Sequence, residues 1–116
     1  MARVTSILIY PDHDALGQTL QSTHVSADGL DGDRRKRSPV HLVAVENYID
    51  LHPRANVVID VAAGDLHGLV GRRLRLGTVE LDVMALAGDC AGIYADIPVP
   101  GDLSVGDELL VGEPSA

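Results

Sequence analysis

The single cysteine of the chain, Cys90, sits in "LAGDCAGIY", between two glycines and just after a run that alternates like a strand. A thiol can serve as nucleophile, sulfur carrier or soft metal ligand, and in each role the working form is the thiolate. Asp89 beside it opposes ionisation by like-charge repulsion, which favours an inert buried cysteine. The small residues around it favour the opposite reading, because a turn of Ala and Gly lets backbone and ligand approach closely. A cationic neighbourhood would reverse the effect of Asp89. The dense source of positive charge is "DGLDGDRRKR", where Arg34, Arg35, Lys36 and Arg37 supply four of the nine basic residues.

Guanidinium groups hold phosphate in bidentate fashion, and a glycine-containing turn can aim backbone N–H groups at the same anion. From spacing alone an anion site and a solvated basic loop both satisfy this pattern, and the solvated loop is the more ordinary outcome. The aspartates do not follow the alternate-oxygen spacing of a calcium loop, which also needs a distal Glu. Nor do the five histidines, His13, His24, His41, His52 and His67, pair with one another or with Cys90 at a zinc-like spacing. A histidine base acting on Cys90 stays open, because such partners meet in space rather than in sequence.

The elements that must position these groups are short strands. With 116 residues, no Phe, no Trp and three Tyr, the chain supports one domain whose core rests on fourteen Val, fifteen Leu and six Ile. "VTSILIYP" and "STHVSADG" read as strands closed by Pro11 and by Asp28-Gly29. "SPVHLVAVENYIDLHP" starts as a strand and turns helical within Ala44 to His52, with Val45 and Ile49 four apart, until Pro53 stops it. "RANVVIDV" reads as a buried strand and "AAGDLHGLVG" as a loop. In "RRLRLGTVELDVMAL" a tight hairpin at Gly77 puts Leu74, Leu76, Val79, Leu81 and Val83 on a dry face and Arg73, Arg75, Glu80 and Asp82 on a wet one. "ADIPVPGDLSVGDELLVG" adds two more strands, with Pro98 and Pro100 allowed only at an edge or bulge. The expected fold is therefore mainly β, a small mostly antiparallel β-barrel over residues 1–112 with one short helix, followed by a loose tail at 113–116.

The net charge of −8 works against general binding to nucleic acid or to an anionic membrane, which needs a basic face. One cysteine allows no internal disulfide, and no apolar stretch approaches the ~20 residues that span a bilayer. The opening "MARVTSILIYPDHD" has no long apolar signal region, so a cytoplasmic protein is expected.

The order of "GLDGDRR", "VHLVAVENY", "RANVVID", "LVGRRLRLGTVELDV", Cys90 and "PGDLSVGDELLV" resembles the MOSC domain, named for the C-terminal domain of molybdenum cofactor sulfurases, over nearly the whole chain. The most specific part is the leucine and glycine leading into a basic hairpin and then a strand that ends at a cysteine. The resemblance implies a β-rich barrel that carries sulfur as a persulfide on Cys90, or that holds the molybdenum cofactor (molybdopterin) with Cys90 as a metal ligand. It further implies that Asp33, Arg34 and Arg35 of "GDRR", with Arg54 and Asn56 of "RAN", line the anion side. A PLP-dependent cysteine desulfurase or a molybdoenzyme is the implied partner. Two departures stand out: Arg35 occupies the place of the family's histidine in "GDRH", and the segment after Cys90, "AGIYADIPVP", is shorter than usual. A shortened pocket wall suits a minimal carrier or binding module better than a complete molybdenum-dependent reductase of N-hydroxylated compounds. A non-catalytic barrel with a structural Cys90 and an anion- or protein-binding patch is the remaining alternative.

Overall fold

The computed structural model describes residues 2–12, 16–35, 38–88 and 91–114. Among these residues eleven strands and two short helices follow in the order β1 (Val4–Ile9), β2 (Gln18–Leu20), β3 (Ser22–Ser26), β4 (Gly29–Leu30), β5 (Val40–Ala44), α1 (Val45–Leu51), β6 (Val57–Ile59), α2 (Ala63–His67), β7 (Arg72–Leu76), β8 (Val79–Leu86), β9 (Ile93–Val99), β10 (Gly101–Ser104) and β11 (Leu110–Pro114). The mainly β, mostly antiparallel reading holds. The strands form an eight-stranded sheet, ordered β11-β7-β8-β9-β5-β6-β1-β2, and a three-stranded sheet, β10-β3-β4. Among the described residues the large sheet does not close into a barrel, since its end strands β11 and β2 are not paired with each other.

The hairpin of β7 and β8 pairs as its alternation requires, Leu74 opposite Leu81 and Leu76 opposite Val79 on the buried face. Arg73 stands opposite Asp82 on the outer face and grips it in bidentate fashion, Nε to Oδ1 at 2.8 Å and Nη2 to Oδ2 at 3.2 Å. That hydrogen bond to Asp82 raises the Arg73 pKa still further above its ordinary value. Pro98 falls where the β8–β9 register shifts between Glu80 and Asp82, a position that asks nothing of a missing N–H.

One helix was expected and two are present among the described residues. The first, α1, lies inside the expected span, but α2 occupies the stretch read as a loop because of its glycines. Its stabilisation comes from outside the segment: Glu46, on α1, accepts the Ala63 N–H at 2.6 Å, and Leu66 is wholly buried in the core. The strand β11 runs through Glu113 to Pro114, two residues into the stretch expected to be a tail.

Alternation along three strands builds two cores. Ile7 and Ile9 of β1, Leu42 and Ala44 of β5, and Val57 and Ile59 of β6 join the main core, which reaches the three-stranded sheet through Val25, Leu30 and Leu103. Their sequence neighbours Leu8, Val43 and Val58 point the other way, into a smaller cluster with Tyr10 and Ala55. Strands β5 and β6 pair in parallel with α1 between them, so both of their faces are covered and both must be apolar. Val45 and Tyr48 from α1 pack on the smaller cluster, and so does Ala91. This second core is the floor of the site.

Candidate functional site

Tyr10 directly follows β1 and is the point on which the "GDRR" and "RAN" segments converge. Its N–H donates to Asp33 Oδ1 at 2.8 Å, and its carbonyl accepts from the N–H of Arg34 at 3.1 Å. These two bonds clamp the basic loop to the end of the strand. Gly32 makes the loop possible, with φ of +82° and so little room that a Cβ would lie 2.9 Å from Cδ1 of Ile9. The guanidinium of Arg54 lies over the Tyr10 ring, 4.4 Å from its centroid, and donates to the carbonyl of Asp12 at 3.3 Å. Burial first, and then Tyr48, raise the Tyr10 pKa above its ordinary value; Arg54 opposes this and Asp33 adds to it.

Asn56 is 0% exposed and holds the segments together from beneath. Its Nδ2 donates to the Leu8 carbonyl at 3.3 Å and to Asp33 Oδ2 at 3.1 Å, while its Oδ1 accepts from the His41 N–H at 3.1 Å. Its side chain is therefore engaged with the protein. The carboxylate of Asp33 in turn is an anchor for the loop.

The arginines differ in their surroundings. Arg34 is half-buried, and its Nε is inaccessible to solvent yet meets no acceptor among the described residues. Arg54 is exposed on the Tyr10 ring. Arg35 turns to Asp28 of the β3–β4 turn at 3.4 Å and is largely solvated, so it stands apart from the cluster. Lys36 and Arg37 lie outside the described residues, as do His13, Asp89 and Cys90 itself.

The residues on either side of that cysteine are described. Strands β8 and β9 are joined through Ala87 to Gly92, with the Ala87 N–H donating to the Gly92 carbonyl at 3.0 Å. Ala91, bonded directly to Cys90, packs on the same small core as Tyr10, Ala55 and Tyr48. The tertiary structure thus brings Ala91, the described part of the "GDRR" loop and the "RAN" segment to one region. Tyr10, which sequence reasoning passed over, belongs there, and so does His41, which the sequence offered only as one of five histidines. The legible signal for His41 was a single polar residue inside the apolar strand "VHLVA". No group of three or more metal-ligating side chains occurs among the described residues, and no helix among them is long and apolar enough to cross a membrane.

The sequence matches no protein-family model, and no curated protein matches it. The structure is similar to that of the YuaD protein from Bacillus subtilis, with a TM-score of 0.75 and 15% identity over 97% of each chain. It is also similar to YiiM from Geobacillus stearothermophilus, with a TM-score of 0.69 and 12% identity over 97% of this chain and 76% of that one. YiiM from Escherichia coli gives a TM-score of 0.65 at 12% identity, covering 98% and 71%. Identities this low carry the fold alone, and YuaD and YiiM are MOSC-domain proteins, so the fold of this chain is MOSC-like.

Proposed function

We propose that the chain is a minimal MOSC-type domain that carries sulfur on Cys90, with Arg34 and Arg54 beside Tyr10 forming an anion subsite for whatever the sulfur is delivered to or from. The observation that carries the anion subsite is the buried Nε of Arg34, a charged donor without an acceptor among the described residues. A donor so placed costs free energy until an acceptor arrives, and a phosphate or carboxylate supplies one. The argument for Cys90 is the packing of its neighbour Ala91 on the same core as Tyr10.

In the carrier reaction the Cys90 thiolate attacks the outer sulfur of a persulfide on a donor such as a PLP-dependent cysteine desulfurase. The donor's S–S bond breaks, its cysteine leaves as a thiolate, and Cys90 gains one sulfane sulfur as a new S–S bond. No net electrons are exchanged, and the transfer is reversible by the same attack.

The donor set also suits the molybdenum cofactor, whose phosphate the same two arginines would hold and whose metal a Cys90 thiolate would ligate. When bound, that group supplies two-electron redox chemistry. The test is a single preparation, purified and analysed for molybdenum and for intact mass before and after incubation with a desulfurase and cysteine. A gain of one sulfur atom on wild type, absent in Cys90→Ser, supports the carrier; stoichiometric molybdenum supports the cofactor reading. Neither result, together with a thiol that alkylates only after unfolding, defeats both and leaves Cys90 a structural residue.

A further inference from the structure

His41 is the only buried histidine among the described residues, at 5% exposure. Its Nε2 lies 2.6 Å from the carbonyl oxygen of Ala91. A carbonyl can only accept, so this nitrogen carries a proton and donates it. The backbone of His41 is held as tightly as its ring. The His41 N–H goes to Asn56 Oδ1 at 3.1 Å, its carbonyl accepts the Asn56 N–H at 2.8 Å, and the imidazole leans on Tyr94, its register partner, at 5.1 Å between centroids. Gly92 completes the clamp from the other side. With φ of +100°, it presses so close to β5 that a Cβ would collide with the Leu42 carbonyl and sit 3.0 Å from Nε2 of His41.

Three hydrogen bonds therefore run in series from Asp33 through Asn56 and His41 to Ala91. We infer that His41 is a positioning residue that fixes the Cys90-bearing connection against β5, and that Asn56 carries the same constraint to the arginine loop. This rests on the reading of Cys90 as the sulfur-bearing residue. Sulfur transfer requires the thiol to meet its partner in one defined orientation. A short, partly buried hydrogen bond is well suited to select it.

The test compares wild type with His41→Phe, which keeps an aromatic ring against Tyr94 and loses the N–H, and with His41→Gln, whose amide keeps a donor. Each is loaded with sulfur by a cysteine desulfurase, and folding is followed by circular dichroism. We expect loading to slow by about tenfold or more in His41→Phe and to stay within about threefold of wild type in His41→Gln, the pattern of lost and rescued orientation. A folded His41→Phe variant that loads at the wild-type rate overturns the positioning role while leaving the carrier reading intact. Wild-type protein that takes up no sulfur overturns the carrier reading, and this inference with it. If His41→Phe does not fold, the imidazole nitrogen signals of wild type decide by NMR: a proton on Nε2, protected from exchange, supports the clamp, and an Nε2 without one overturns it.

Discussion

Asn56 Nδ2 lies 3.1 Å from Oδ2 of Asp33, a residue 23 positions earlier in the chain, and the same amide spans the distance from the end of β1 to β5. A wholly buried group in this position determines where the basic loop goes. Replacement by alanine removes the acceptor of the His41 N–H and the donor to the Leu8 carbonyl, both buried, and one bond to Asp33. We expect Asn56→Ala to lower stability by about 2 to 4 kcal/mol, measured by urea denaturation, as for loss of a buried network rather than of one surface bond. An unchanged midpoint would show that the network is not holding the loop.

The arginines should separate cleanly. Inorganic pyrophosphate, titrated by calorimetry, is expected to bind wild type more weakly as salt rises. Arg34→Ala and Arg54→Ala should each cost about 1 to 3 kcal/mol of binding, the range of a charge-assisted hydrogen bond. Arg35→Ala should cost little, because that side chain is already turned to Asp28. Equal losses at all three positions would mean a diffuse basic surface instead of a subsite.

Tyr10 links the site to pH. Its folded pKa is raised above 10.0, chiefly by burial, so the folded state holds the phenol proton more tightly than the unfolded chain does. The sign follows from linkage: this contribution to stability is complete below pH 10.0 and is lost as pH rises through the raised folded value. Thermal unfolding followed above that pH should show wild type losing stability more steeply than Tyr10→Phe. Parallel profiles would refute the coupling.

Gly92 offers a contrast in backbone chemistry. Gly92→Ala combines a positive φ with a collision against the Leu42 carbonyl, and we expect a loss of about 3 kcal/mol or more, or failure to fold. Gly64→Ala, in α2 with open space around it, should be neutral or stabilise by up to about 1 kcal/mol. Thermal denaturation of the two variants side by side would expose an error in either direction.

The amphipathic hairpin was legible to the residue. Leu74, Leu76, Val79 and Leu81 are buried and Arg73 faces Asp82, because side chains alternate with period two whatever surrounds the strand. The end of α1 before Pro53 and the register shift at Pro98 were legible too, because proline fixes its own backbone and has no N–H. The second helix escaped notice because its stabilisation is tertiary: Glu46 caps it from another helix, and Leu66 gains its place only in the assembled core. The site shows the same division. The cysteine between glycines, the arginine run and the "RAN" segment are all visible as residue types, but a run of charges does not reveal which member turns inward. That Arg34 has a buried Nε while Arg35 reaches out to Asp28 depends on the Tyr10 and Asp33 clamp. That His41 touches Ala91, 50 residues away, depends on the register of β5 against β9. Periodicity is a property of a few neighbouring residues and can be read from them; the meeting of Tyr10, Asp33, His41, Asn56 and Ala91 is a property of strand order and register, which only the folded sheet defines.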